Sequence, residues 1–181
     1  VRSNDLTVQN VYFQRGAMWS VVTMESDRVR LRNLNVQSSG ITHDGIDVVD
    51  GEDVTVEDCA VRSGDDAMCL KSGVRRGVVN LVVRRSFFSG DNGGSNGVKF
   101  GTASYGAFRD VRVEDVYVKD VQYAAMAVES RQGADVARVT FRRVEFANAG
   151  AAFFVYLAQQ DTTHPEGDVP RLGSMTGVSF T

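Results

Sequence analysis

The chain has 181 residues, 43% of them hydrophobic and 24% charged, and a formal net charge of -3 at neutral pH. This length and composition predict one folded domain and exclude an intrinsically disordered chain. The lysines and arginines are scattered, and the longest apolar stretch, residues 149–158, is about half the roughly 20 residues of a transmembrane helix, so nucleic acid and membranes are excluded as partners. Two cysteines and two histidines are too few for a His/Cys metal site, so we expect no metal and no other cofactor.

A strand-like segment recurs along the chain at intervals of 23 to 30 residues. Each copy alternates apolar and polar residues and is rich in β-branched side chains, a pattern typical of β-strands and not of helices. Repeats at this spacing indicate a solenoid, in which each copy stacks on the next. The copies carry an anchoring apolar residue at Leu6, Val29, Val54, Leu81, Val111 and Val139, and a seventh copy begins near Val178.

A second alternating strand lies between successive anchors, so each coil has at least two strands. Its apolar positions are predicted to point inward, for example Ile46 with Val48 and Met68 with Leu70, while the residues between them face out. This pattern predicts an all-β fold, a right-handed parallel β-helix of about seven coils. The outward columns read Asp47, Cys69, Lys99, Ala127, Phe154 and Val49, Lys71, Gly101, Glu129, Tyr156.

Residues 1–181 are expected to form a single β-helix domain. The chain opens on polar residues with no visible signal peptide and stops at Gly177–Thr181, which reads as the middle of a strand. We therefore expect both termini to be cuts in a longer protein, with this segment as the central part of its catalytic domain. We also expect a monomer.

Three aspartates form a cluster that can carry chemistry. Asp44 and Asp66 are 22 residues apart at equivalent positions of consecutive coils, so stacking places them at about the 4.8 Å spacing of neighbouring strands, with Asp65 beside Asp66. Packing like charges together raises the pKa of at least one carboxyl, which suits a general acid, while the others stay ionised as bases. The alternative interpretation is a solvated turn, which an isolated Gly-Asp-Asp would favour.

Two motifs around these aspartates resemble glycoside hydrolase family 28, the polygalacturonase family. Thr-His-Asp-Gly-Ile-Asp at 42–47 is similar to the family's Asn-Thr-Asp-Gly-Ile-Asp, and Gly64–Gly73 is similar to its Gly-Asp-Asp-Cys and the Lys-Ser-Gly that often follows. The resemblance implies an inverting hydrolase of α-linked pectic polysaccharide, with Asp65 as proton donor and with Asp44 and Asp66 activating water, without a cofactor. It also implies a secreted or periplasmic protein, with the cytoplasm as the alternative. The three aspartates are similar as well to those of β-helical dextranases and α-1,3-glucanases.

The sequence departs from the family pattern at three places around the expected cleft. Asn96 stands where the family has a histidine, and an amide donates hydrogen bonds but carries no charge. Ala127 and Glu129 replace an arginine and a lysine that bind a uronate carboxylate, so galacturonate is disfavoured there. A rhamnogalacturonan, a decorated pectin or a neutral α-glycan is therefore an equal candidate. His43 precedes the expected base Asp44, and it either replaces the missing charge or is a turn residue.

The remaining substrate contacts are expected from the outward columns. Lys71 and Lys99 either bind an acidic sugar or pair with Asp47 and Glu129. Tyr156 either stacks on a sugar ring or packs against its neighbours. We therefore predict that a polysaccharide or oligosaccharide substrate contacts Asn96, Lys99, Lys71, Tyr156 and His43.

Two other functional classes stay open on the sequence alone. A calcium-dependent polysaccharide lyase also clusters carboxylates, and it uses a basic side chain to abstract a proton. Ala127 counts against this class, because it stands where an arginine would help. A non-catalytic β-helix would bind glycans without turnover. Chelator sensitivity and product unsaturation identify the lyase, and glycan binding that survives Asp65→Asn identifies the binding protein.

Overall fold

The computed structural model describes residues 3–91, 94–159 and 171–181. All regular structure in these residues is β, and none of them belongs to a helix long and apolar enough to cross a membrane. The strands are β1 (Thr7–Gln9), β2 (Tyr12–Gln14), β3 (Trp19–Met24), β4 (Asp27–Arg32), β5 (Asn35–Gln37), β6 (Asp44–Val49), β7 (Glu52–Glu57), β8 (Ala60–Ser63), β9 (Met68–Ser72), β10 (Val78–Gly90), β11 (Asn96–Ser104), β12 (Phe108–Ser130), β13 (Asp135–Leu157) and β14 (Ser174–Phe180).

The strands stack in parallel and form three faces of a solenoid. The first face contains β1, β4, β7, β14 and the first parts of β10, β12 and β13. The second contains β2, β5, β8, the end of β10 and the middle of β12 and β13. The third contains β3, β6, β9, β11 and the ends of β12 and β13. The chain follows the three faces in this order in every coil.

The predicted parallel β-helix is confirmed, and its anchoring residues are in register. The structure has six complete coils, slightly fewer than the seven predicted. The repeat near Val178 exists, but the described residues include only its first-face strand, β14. The anchors that stack in register are Val29, Val54, Leu81, Val111, Val139 and Val178.

On β6, β9, β11 and the end of β12, every second side chain points inward and is buried in the interior of the solenoid. Phe100 is fully buried and packs edge-on against Phe108 and Phe141, with ring centroids 5.6 and 5.9 Å away. Phe153 and Val155, on the sixth coil, are about half exposed. Because large side chains fill the interior, the outward residues between them keep fixed positions. The buried inward rows are Ile46, Met68, Val98, Met126 and Val48, Leu70, Phe100, Val128.

The corners between faces are made by polar residues with a left-handed backbone. Asp58 has a φ of 57°, and Arg85, one coil later, has a φ of 47°. Their side chains stack and pair, with Arg85 Nε 2.7 Å from Asp58 Oδ1. Exposed pairs of this kind add little to stability, because water screens their charges, so their main effect is to orient the corner. The same arrangement joins Asp5 with Arg28, Asp110 with Arg138 and Asp115 with Arg143.

A buried carboxylate organises the turn that follows β9. Asp50 accepts hydrogen bonds from Ser72 Oγ (2.7 Å) and from the backbone N–H groups of Gly73 (2.8 Å) and Gly77 (3.0 Å). Ser72 Oγ in turn accepts a hydrogen bond from the N–H of Gly106 (2.8 Å), which links this turn to the next coil. Asp50 is only 2% exposed, so water cannot easily replace it as an acceptor.

Asp50→Ala should lower the free energy of unfolding by about 3 kcal/mol, because buried donors lose their acceptor. Urea unfolding followed by circular dichroism measures this loss. The matched control is Asp53→Ala, at an exposed corner where the carboxylate accepts a hydrogen bond from Asn80 (2.5 Å). This control should lose less than about 1 kcal/mol. Equal losses in the two variants would contradict the role given to Asp50.

Candidate active site

The predicted cluster lies on the outer side of the third face. Trp19 on β3 pairs in register with Asp44 on β6. Three residues further along β6, Asp47 begins a column of outward-facing residues that stack across the coils. The column continues through β9, β11, β12 and β13 with Cys69, Lys99, Ala127 and Phe154. Asp47, Cys69 and Ala127 are fully buried although they face outward, so they form the floor of the site.

Asp44 and Asp66 lie in direct contact across two coils. The backbone N–H of Asp66 donates to Asp44 Oδ1 (3.2 Å), and the Asp66 carbonyl accepts from the N–H of Gly45 (2.9 Å). Gly45 permits this approach, because a Cβ there would lie 2.5 Å from the carbonyl oxygen of Ala67. Oxygens of the two carboxylates come within 4.8 Å of each other. A single water molecule can therefore contact both.

Asp65 is held by its backbone at the edge of this pair and is more exposed than Asp66. Its N–H donates to the carbonyl of His43 (3.1 Å), and its carbonyl accepts from the N–H of Ser95 (3.2 Å). The imidazole of His43 packs against Gly40, where a Cβ would lie 2.9 Å from the ring. The structure thus brings the backbone of His43, rather than its ring, to the aspartates.

Asn96 and Lys99 both contact the carboxylate of Asp66. Asn96 Nδ2 donates to Asp66 Oδ1 (2.7 Å), and Lys99 Nζ lies 3.1 Å from Asp66 Oδ2. The amide oxygen of Asn96 accepts from the N–H of Ala124 (3.1 Å), which fixes the orientation of the amide. Burial raises the pKa of Asp66 above its ordinary value, although Lys99 and Asn96 act against this. The proton affinity of Asp66 therefore depends on its burial and on its contacts with Lys99 and Asn96.

Lys71 occupies the opposite side of the pair. Its ammonium lies 2.5 Å from Asp44 Oδ2, bonds to Asp47 Oδ1 and sits 4.3 Å from the ring centroid of Trp19. Burial raises the pKa of Asp47, against the opposing effect of Lys71. Burial works to lower the pKa of Lys71, but the acidic groups around it raise it overall. The predicted pairing of Lys71 with Asp47 is present, and it extends to Asp44.

Asp44, Asp66 and Cys69 place one ligand atom each within 4.8 Å of one another, a spacing that could suit a metal ion. Burial raises the pKa of the Cys69 thiol well above its ordinary value, so the sulfur keeps its proton. The two carboxylates already carry the ammonium groups of Lys71 and Lys99. This donor set, one thiol and two carboxylates paired with cations, is poorly suited to a metal ion.

A cleft of about 570 Å³ opens beside Asn96 and Lys99. Its far wall carries the partly exposed rings of Phe154 and Tyr156, stacked at 6.0 Å between centroids. The predicted contact residue Tyr156 therefore lies in the cleft. The guanidinium of Arg131 lies 5.3 Å from the centroid of the Tyr156 ring. An aromatic surface flanked by polar groups is suited to a sugar ring.

The sequence pattern indicated Asp47 only as a pairing partner for a lysine, and it did not indicate Arg131. Asp47 is the last residue of Asp-Gly-Ile-Asp and lies on the outward column. Arg131 lies two residues beyond Glu129, at the spacing that keeps side chains on one face of a strand. Its guanidinium is 3.5 Å from Glu129 Oε2, so a cation does reach the region where Ala127 and Glu129 replace the family's basic pair.

Comparison with known proteins agrees with this architecture. The family model described as Glycosyl hydrolases family 28 matches residues 1–171. The solved structure of the polygalacturonase from Erwinia carotovora ssp. carotovora superposes with a TM-score of 0.54 at 14% identity, covering 99% of this chain and 59% of that chain, a likeness of fold. The chain therefore spans about three-fifths of that enzyme's length. No curated protein sequence matches significantly. Because the family match extends over nearly the whole sequence, the chain belongs to the glycosyl hydrolases of family 28.

Proposed function

We propose that this chain hydrolyses α-glycosidic bonds of a pectic or related polysaccharide, with inversion of configuration, through Asp44, Asp65 and Asp66. Family membership supports a glycosidase that acts on a polysaccharide. The observation that carries the proposal is the proximity of Asp44 and Asp66, whose carboxylate oxygens lie within 4.8 Å of each other, next to Asn96 and Lys99, which line the cleft and contact Asp66. Paired carboxylates at a sugar-sized cleft are what acid and base catalysis of glycoside hydrolysis needs.

Each aspartate has a role that fits its surroundings. Asp44 and Asp66 bind one water molecule between them, and one of the two takes its proton as the water oxygen attacks the anomeric carbon. Asp65 gives its proton to the glycosidic oxygen, and the leaving sugar departs with a free hydroxyl. Inversion needs the acid about 6.5–9.5 Å from the base, so that water fits between base and sugar. The more exposed position of Asp65, at the edge of the pair, is compatible with this separation.

The end of the cleft formed by Phe154 and Tyr156 favours a sugar that is not bound through a free carboxylate. Glu129 lies against Arg131 there and neutralises much of its charge. Phe154 and Tyr156 offer apolar faces to the ring carbons of a sugar. Asn96 and Lys99 line the same cleft, and both contact the Asp66 carboxylate. We therefore place a rhamnose, an esterified uronate or a neutral sugar at this subsite ahead of free galacturonate.

The test is reducing-end release by the protein from rhamnogalacturonan, methyl-esterified pectin, polygalacturonan and neutral α-glucans, with and without a chelator. We expect saturated products, unchanged by the chelator, and cleavage of at least one of the first two substrates in preference to polygalacturonan. Proton NMR of the first products should show the β-anomer, since inversion acts on an α-linkage. Chelator-sensitive release of unsaturated sugars would instead identify a lyase. Binding without turnover on every substrate would identify a glycan-binding protein.

A further inference from the structure

The ammonium of Lys71 is enclosed by groups that the catalytic proposal leaves unexplained. Asp44 and Asp47 lie on one side of it, and the indole of Trp19 lies over it at 4.3 Å. The side chain of Lys71 is 11% exposed. A substrate carboxylate could reach this ammonium only by displacing one of two buried carboxylates, so direct substrate binding by Lys71 is disfavoured.

The side chain of Asp47 contacts the ammonium of Lys71. Its residue is 0% exposed, Oδ1 accepts from Lys71, and the buried Oδ2 has no hydrogen-bond partner within the described ranges. A carboxyl removed from water in this way is costly, and it is tolerated where it places a charge that the site needs. The neighbouring positions on the column are Val22 and Cys69, which supply no charge to replace it.

We propose that Asp47 and Lys71 are a positioning pair for Asp44: Asp47 fixes the ammonium of Lys71, and the ammonium orients the Asp44 carboxylate for use as the base. This inference rests on the proposed function, because it assigns Asp44 to the reaction. Lys99 plays no part in it, since its ammonium lies on Asp66. The charged and titratable groups that face Lys71 are Asp44, Asp47, Cys69 and, through Asp44, Asp66.

The kinetic test compares Lys71→Met and Lys71→Arg with the parent protein on the best substrate. In Lys71→Met, loss of the cation should lower kcat roughly 10- to 100-fold, because the base is no longer oriented, and should leave KM within about threefold. Lys71→Arg keeps the charge, so it should retain more of kcat than Lys71→Met. A raised KM with an unchanged kcat would show that Lys71 binds substrate, and would overturn the proposal.

A second variant separates misfolding from lost positioning. Lys71→Met leaves Asp47 as a buried carboxyl without its cation, so its thermal midpoint should fall. Adding Asp47→Asn removes that unpaired group, and the double variant should regain most of the midpoint while kcat stays low. Recovery of kcat together with the midpoint would mean that Lys71 serves stability alone.

Trp19 provides a readout that needs no activity, because it is the only tryptophan of the chain. Asp47→Asn should change the Trp19 emission spectrum by releasing the ammonium beneath the indole, and it should change nothing in a Lys71→Met background. Lys99→Met should leave the emission unchanged in both backgrounds. If no glycan is cleaved, the proposed function fails, and this double-variant cycle still tests the contact between Asp47 and Lys71. Independent effects of Asp47→Asn and Lys71→Met on emission would overturn the pairing even in an active enzyme.

Discussion

Asp44→Asn, Asp65→Asn and Asp66→Asn should each lower kcat about 10²- to 10⁴-fold, the range that a positioned acid or base contributes. Asparagine keeps the shape of each side chain, including the hydrogen bond that Asp66 Oδ1 accepts from Asn96. What it removes is the negative charge, and with it the capacity to take or give a proton and the ion pairs of Asp44 with Lys71 and of Asp66 with Lys99. Circular dichroism and a cooperative melt check that each variant stays folded. The matched control is Asp53→Asn, an exposed corner carboxylate, which should keep parental kcat.

The three variants also separate the acid from the base. A glycoside with a good leaving group needs no protonation, so Asp65→Asn should recover most of its lost rate on such a substrate. Asp44→Asn and Asp66→Asn should not recover, because the attacking water still needs a base. Recovery by Asp66→Asn instead would exchange the roles of Asp65 and Asp66. That result would agree with the raised pKa of Asp66 and would correct the assignment made here.

Phe100→Ala should lower the free energy of unfolding by about 3–5 kcal/mol, the cost of deleting a large buried ring. The ring is 0% exposed and packs edge-on against Phe108 and Phe141, so its removal opens a cavity across three coils. Urea unfolding measures the loss. Phe154→Ala is the control, because that ring is 45% exposed and its loss should cost about 1 kcal/mol or less. A loss below about 1 kcal/mol at Phe100 would contradict the stacked core.

The fold was predictable because one physical rule repeats in every coil. Alternation of Val98 and Phe100 with Lys99 determines which side of β11 faces the interior, and the inward residues of β6, β9 and β12 follow the same alternation in sequence. The repeats then placed Asp44 beside Asp66, because equivalent positions of consecutive coils stack on each other. The number of complete coils was harder to predict. A seventh repeat is recognisable in the sequence, but the described residues contain only its first strand, β14.

The charge network of the site was only partly predictable. The sequence offered Lys71 a choice between substrate and Asp47, and spacing alone cannot show that its flexible chain also reaches Asp44 beneath Trp19. Arg131 lies just past β12, so its direction depends on how that strand ends. Neighbouring coils, rather than the local sequence pattern, determine the direction of long side chains and of strand ends. These contacts could therefore not be predicted from the sequence.

The stacking of equivalent positions has a consequence for how such proteins can change in length. The residues of the proposed reaction lie on three adjacent strands, β6, β9 and β11, and Trp19 of β3 packs over Lys71. A whole rung inserted between β9 and β11 would carry Asn96 and Lys99 about 4.8 Å further from Asp66 and dismantle the site. A rung added beyond β13 would lengthen the surface available to a polymer and leave the reacting groups in place. The length of the surface that binds a glycan can therefore change without changing the residues that act on its bond.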